Sequence, residues 1–138
     1  MKKSLKDKVL GIIPARLGST RIPEKMLQDI AGKKLIERTI ERTKGAKLID
    51  KLIVSTDSEE IATLARQLGI DAYITEADLP TGTDRVAATL EKFTEFEPDI
   101  VVNIQGDEPL MPPEVIDALV QTLIDDPGTP MATAVKRI

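Results

Sequence analysis

The chain has 138 residues, 41% apolar and 30% charged, enough for one folded domain with its own core and too apolar for a disordered segment. A net charge of −4, with two Phe, one Tyr and no Trp, argues against a nucleic-acid binder, which needs a basic face and stacking rings. The absence of Cys and His excludes disulfides, thiolate zinc sites, thiol nucleophiles, a Ser–His–Asp relay and a histidine base. The chemistry must therefore run on carboxylates, Lys, Arg, hydroxyls, backbone amides or a bound hard metal.

Residues 1–8 form a basic lead-in, with Lys2, Lys3, Lys6 and Lys8 solvated. The apolar run behind it, Val9 to Ile13, is shorter than a signal-peptide core or a membrane span. The expectation is a cytoplasmic protein without membrane insertion. The run itself reads as a strand buried on both faces and stopped by Pro14. Leu35, Ile36, Thr39 and Ile40 then make one helical stripe between Lys34 and Lys44. Leu52 to Thr56 is a second strand, and the helix after it has Asp57 as its expected cap, with Glu60 reaching back. Ile61, Leu64, Ala65 and Leu68 form its stripe, and Gly69 ends it.

Ala72-Tyr73-Ile74 is a short third strand. A polar loop from Thr75 to Thr83 leads into a helix carrying Val86, Leu90 and Phe93, with Thr83 or Asp84 as the expected cap. Ile100 to Ile104 is a fourth strand, ending in the Gln105-Gly106-Asp107-Glu108-Pro109 turn. Pro112-Pro113 opens a helix with Val115, Ile116, Leu119, Val120 and Leu123 on one face, and Met131 to Val135 is strand-like. Strand and helix alternating in this way predict an α/β fold, a mostly parallel sheet with helices on both faces. Ligands of such sheets sit beyond the carboxyl ends of the strands. Function is therefore expected in segments 14–30, 56–58, 75–85 and 105–110.

The first of these gathers Arg16, Arg21 and Lys25 around Gly18-Ser19-Thr20, where backbone amides can cup an anion that the cations neutralise. The alternative is a surface loop with solvated charges; three cations at the end of a first parallel strand favour phosphate. No Walker A pattern and no Gly-x-Gly occurs, so neither of those phosphate loops is present. In the turn after the fourth strand, Asp107 can reach a hard cation such as Mg²⁺. Glu108, extended before Pro109, reads better as a turn acceptor than as a metal ligand. Gly82 allows a close approach of backbone or ligand.

Four motifs occur together: Pro14-Ala15-Arg16-Leu17-Gly18-Ser19-Thr20-Arg21-x-Pro23-x-Lys25, Ser55-Thr56-Asp57, Thr81-Gly82-Thr83-Asp84-Arg85 and Asn103-x-Gln105-Gly106-Asp107-Glu108-Pro109. In this order and spacing they resemble the 3-deoxy-manno-octulosonate cytidylyltransferases (CMP-KDO synthetases), from Val9 onward. The first motif is also similar to spore-coat polysaccharide proteins and acylneuraminate cytidylyltransferases; the Gln105-Gly106-Asp107-Glu108-Pro109 turn and the Thr81-Gly82-Thr83-Asp84-Arg85 loop favour the KDO enzymes over both.

The resemblance implies a nucleotide-diphospho-sugar transferase-like, Rossmann-like fold, with residues 9–138 as a CTP-binding domain. Arg16 and Lys25 would hold the CTP phosphates, with Arg21 and the Leu17-Gly18-Ser19 turn beside them. The backbone of Pro14 and Ala15 and of Thr81, Gly82 and Thr83 would frame cytosine and ribose. Gln105 would face the sugar, and Asp107 would carry Mg²⁺; Arg16, Lys25 and Asp107 are the implied catalytic set. The implied reaction joins CTP to an acidic 2-keto sugar, KDO, for lipopolysaccharide biosynthesis. Another acidic sugar (neuraminate, pseudaminate or amino-KDO) and a non-catalytic nucleotide-binding fragment are the alternatives. The family's chains are longer, so the fold is expected to be truncated at Ile138, with the second metal aspartate and most of the sugar pocket beyond it. A homodimer is an expectation for the full-length form only.

Overall fold

The structure is a computed structural model that describes residues 8–16, 27–75, 82–95, 97–105 and 112–125. Four parallel strands form its main sheet: β1 (Val9–Ala15), β4 (Lys51–Thr56), β5 (Asp71–Ile74) and β6 (Ile100–Asn103), in the order β5-β4-β1-β6. Between β1 and β4 lie a small antiparallel hairpin, β2 (Asp29–Ile30) with β3 (Lys33–Lys34), and helix α1 (Leu35–Thr43). Helix α2 (Glu59–Gln67) joins β4 to β5, α3 (Gly82–Lys92) precedes β6, and α4 (Pro113–Asp125) follows it.

The strand order decides which face each helix covers. From β1 the chain steps outward to β4 and again to β5, then returns across β1 to reach β6. Parallel crossovers are right-handed, so reversing the direction of travel moves the crossover helix to the opposite face. The two cores agree. Val9, Ile13 and Ala15 of β1 pack with Ile36 and Ile40 of α1, Ile61 and Ala65 of α2, and Ile116 and Val120 of α4. Leu10 and Ile12, alternating with them, pack with Ile53 and with Val86 and Phe93 on the α3 side. Every residue of β1 is buried, as a central strand requires. Each fully buried Ile or Leu contributes about 1.5–3 kcal/mol of transfer free energy, so this aliphatic double layer is the main source of stability.

Pro14 does not stop the first strand; it lies inside β1, opposite Ser55. Ile12 directs its carbonyl to β6, accepting from Ile104 N at 2.9 Å, and Pro14 two residues on faces the same way. The described β1–β6 ladder ends at Ile12 and Asn103, so the missing N–H of Pro14 costs no described ladder bond. The cap of α2 is also displaced by one residue. Ser58, not Asp57, occupies the cap, and its hydroxyl accepts from Ile61 N at 3.2 Å. Helix α3 begins at Gly82, which puts Thr83 and Asp84 inside its first turn rather than at the cap. There the Asp84 carboxylate favours the helix dipole. Gly69, past the end of α2, has φ +83°, the left-handed conformation expected after a helix.

At the amino ends of the strands, aspartates tie down the backbone. Asp50 Oδ2 accepts from Val9 N at 2.7 Å, and the Asp117 carboxylate accepts from Lys47 N and Leu48 N, both at 2.9 Å. That end of the sheet is fastened, and the carboxyl end is left for the site. Among the described residues no helix is long and apolar enough to cross a membrane. The Met131–Val135 segment and residues 1–7 of the lead-in lie outside the described residues.

Candidate functional site

The order β5-β4-β1-β6 has one point where the chain changes direction, between β1 and β6. In such sheets the usual ligand position is a crevice at the carboxyl ends of the strands that flank this point. The segments bordering it are the one beginning Ala15-Arg16 and the one beginning Ile104-Gln105.

Pro14 and Ala15 are buried at the end of β1, in register with Ser55 and Thr56 of β4, and Arg16 emerges exposed immediately after them. Gln105 is half-buried past the end of β6, its Nε2 donating to Asn103 Oδ1 at 3.3 Å. Gly82 opens α3, with Thr83 next in its first turn. Leu17, Gly18, Ser19, Arg21, Lys25, Thr81 and Asp107 lie outside the described residues. Of the charged and amide side chains of the expected site, then, the described structure places Arg16 just past β1 and Gln105 just past its neighbour β6. Among the described residues no group of three or more acids gathers as a metal cage.

Beneath the strand ends lies a buried polar layer on the α3 side of the sheet. Ser55, Thr75, Arg85, Thr89 and Asn103 are all buried. The Thr89 hydroxyl donates to the Arg85 carbonyl at 2.9 Å and is hydrogen-bonded to the Ser55 hydroxyl at 2.5 Å, fastening the first turns of α3 to β4. Arg85 is 2% exposed, and its Nη1 donates to Thr75 Oγ1, the first residue past β5. Burial pulls its guanidinium below the ordinary arginine range. The Asp57 carboxylate opposes that shift, and the like charge of Arg16 adds to it. One arginine thus links, by hydrogen bond or by field, the ends of β5, β4 and β1. Because Ser58 caps α2, Asp57 is released from that duty and serves as the nearby anion.

The sequence motif containing Arg85 pointed to Gly82 and Asp84, and it gave Arg85 no role of its own. The signal was present: Arg85 stands one residue before Val86 and four before Thr89, on the same stripe as Phe93. A cation on an apolar helical stripe is rare without a partner or a purpose.

Comparison with known proteins shows the family and the fold. A family model described as Cytidylyltransferase matches residues 10–138. A 3-deoxy-manno-octulosonate cytidylyltransferase of Bdellovibrio bacteriovorus is 48% identical over 126 residues, covering 91% of this chain and 50% of the relative. The mitochondrial 3-deoxy-manno-octulosonate cytidylyltransferase of Arabidopsis thaliana is 46% identical over 133 residues, covering 96% of this chain and 46% of its own. Among solved structures, a CMP:2-keto-3-deoxy-manno-octonic acid synthetase complexed with CTP superposes with a TM-score of 0.81 at 37% identity, over 88% of this chain and 49% of that one. The chain spans about half the length of the curated relatives it matches.

Proposed function

Since this chain belongs to the cytidylyltransferase family, we propose that it is the nucleotide-binding part of an enzyme that transfers CMP from CTP to 3-deoxy-manno-octulosonate. The observation that carries the reading is that Arg16 and Gln105 follow the carboxyl ends of the neighbouring strands β1 and β6, at the point where the strand order changes direction. In support, the relatives named above are 46–48% identical, and the solved neighbour at 37% identity is a CTP complex.

In this reading the sugar's anomeric hydroxyl oxygen forms a bond to the α-phosphorus of CTP. The bond from that phosphorus to the bridging oxygen breaks, pyrophosphate leaves with the electron pair, and the hydroxyl proton passes to solvent. The protein's part is placement and charge. Arg16 and Lys25 neutralise the phosphates, helped by Arg21 and the amides of Leu17, Gly18 and Ser19. The backbone of Pro14, Ala15, Thr81, Gly82 and Thr83 frames the nucleoside, and Gln105 meets the sugar. The Asp107 carboxylate is a donor of the hard kind that Mg²⁺ takes. When bound there, the ion would offset charge on the phosphates. The activated sugar suits transfer to lipopolysaccharide, and two water-soluble substrates suit the cytoplasm.

Two measurements test this. Calorimetric titration of the 138-residue chain is expected to rank CTP above ATP, GTP and UTP; equal affinities would defeat the nucleotide assignment. Pyrophosphate release from CTP, in a protein of the relatives' full length that contains this chain, is expected with 3-deoxy-manno-octulosonate and not with neuraminate. The reverse order would move the enzyme to another acidic sugar.

A further inference from the structure

Arg85 is buried more completely than its hydrogen bonds justify. Nη1 reaches Thr75 Oγ1, but Nη2 is buried without a hydrogen-bond partner among the described residues. Arginine is seldom fully buried unless paired, and a buried donor left unsatisfied is destabilising. A neutral residue on this stripe of α3 would fill the space beside Val86 and Thr89 without that cost. What the arginine adds is a fixed positive charge shielded from solvent, within the electrostatic reach of Asp57 and Arg16. Such a charge is weakly screened by salt and acts on anions at a distance.

We propose that Arg85 is a positioning residue of the nucleotide site: it anchors the segment leaving β5 through Thr75, and its buried charge favours a triphosphate at the strand ends without touching it. This rests on the nucleotide reading above and adds a residue to it. The structural part and the electrostatic part make different demands. Anchoring needs a donor toward Thr75, which Gln or Lys can offer. Favouring the triphosphate needs the charge, which only Lys retains.

The test compares Arg85→Gln and Arg85→Lys with the unaltered chain. Each is titrated with CTP and with cytidine at low and moderate salt, and melting is followed by circular dichroism. In folded Arg85→Gln, CTP affinity is expected to fall about tenfold, the size of one unit charge acting across a partly shielded gap, while cytidine affinity stays within about twofold. Arg85→Lys is expected to keep the ratio of CTP to cytidine affinity even where its melting temperature drops. Equal losses for CTP and cytidine in either variant would reduce Arg85 to a structural role, as would undiminished CTP binding in folded Arg85→Gln. Should Arg85→Gln not fold, Arg85→Lys decides alone: a collapsed ratio overturns the proposal, and a retained ratio supports it. If the unaltered chain binds cytidine and CTP equally or not at all, the nucleotide reading fails and this inference falls with it.

Discussion

Arg16 stands at a sharp change of environment: the seven residues of β1 before it are buried, and it is exposed. Its charge can therefore serve a ligand at little desolvation cost, whereas Arg85, 2% exposed, carries that cost in full. The two arginines have complementary tasks in the proposed site, contact for one and field for the other. Arg16→Ala and Lys25→Ala are each expected to weaken CTP binding by about 1.5–3 kcal/mol, roughly tenfold or more, and CMP binding by much less. Paired titrations with CTP and CMP measure this, and equal losses would take these residues off the β- and γ-phosphates. Arg16 was legible in the sequence because it follows a continuous apolar run that ends in a turn. The burial of Arg85 was harder to read, because a charged residue beside a helix start is ordinarily solvated.

Helix periods were legible throughout, because burial on one face imposes a period that local sequence displays. Leu35, Ile36, Thr39 and Ile40 of α1 are buried, as are Ile116, Val120 and Leu123 of α4. Caps were less legible, since Asp57 and Ser58 are both good cap residues and one residue of offset separates them. The offset has a consequence for the site, because it leaves Asp57 beside the buried guanidinium. Ser58→Ala is expected to cost about 0.5–2 kcal/mol of stability, measured by urea unfolding, through loss of the bond to Ile61 N. Unchanged stability would return the cap to Asp57. Pro14 teaches the same lesson for strands: a proline reads as a stop, yet it is tolerated where its nitrogen faces no partner.

On the scale of the molecule, the two ends of the sheet are held differently. At the amino ends Lys51 pairs with Asp71 at 2.7 Å and with Glu95 at 3.2 Å, joining β4, β5 and the segment after α3. The hydrogen bond to Asp71, which outweighs partial burial, raises the Lys51 ammonium above its usual 10.5, with Glu95 adding to the rise. A base raised on folding contributes stability that is whole below its unfolded pKa and lost as pH climbs through the folded one. Lys51→Met is thus expected to melt lower than the unaltered protein by an amount that is constant from pH 7 to 9 and shrinks above the ordinary lysine range. Asp71 is largely exposed, so the effect is at most about 1 kcal/mol. A gap that widened with alkali would reverse the assignment. The carboxyl ends carry the proposed site, and the chain spans about half the length of its relatives. The 138 residues alone are accordingly expected to bind CTP yet release no pyrophosphate with 3-deoxy-manno-octulosonate, because positioning both substrates supplies about 7–11 kcal/mol of barrier lowering that one half of a site forfeits. Sugar-dependent turnover by this chain alone would overturn that expectation. What the sequence determined by itself is what short-range physics writes locally: the alternation of strands and helices, their parallel sense, the aliphatic core and the cations after the first strand. Which strands are neighbours, and hence that the strand order changes direction between β1 and β6, is decided only when crossovers of one hand are packed into a single sheet. The same packing buries Arg85 against Thr75 and within the field of Asp57, residues 10 and 28 positions away, a juxtaposition that no local pattern encodes.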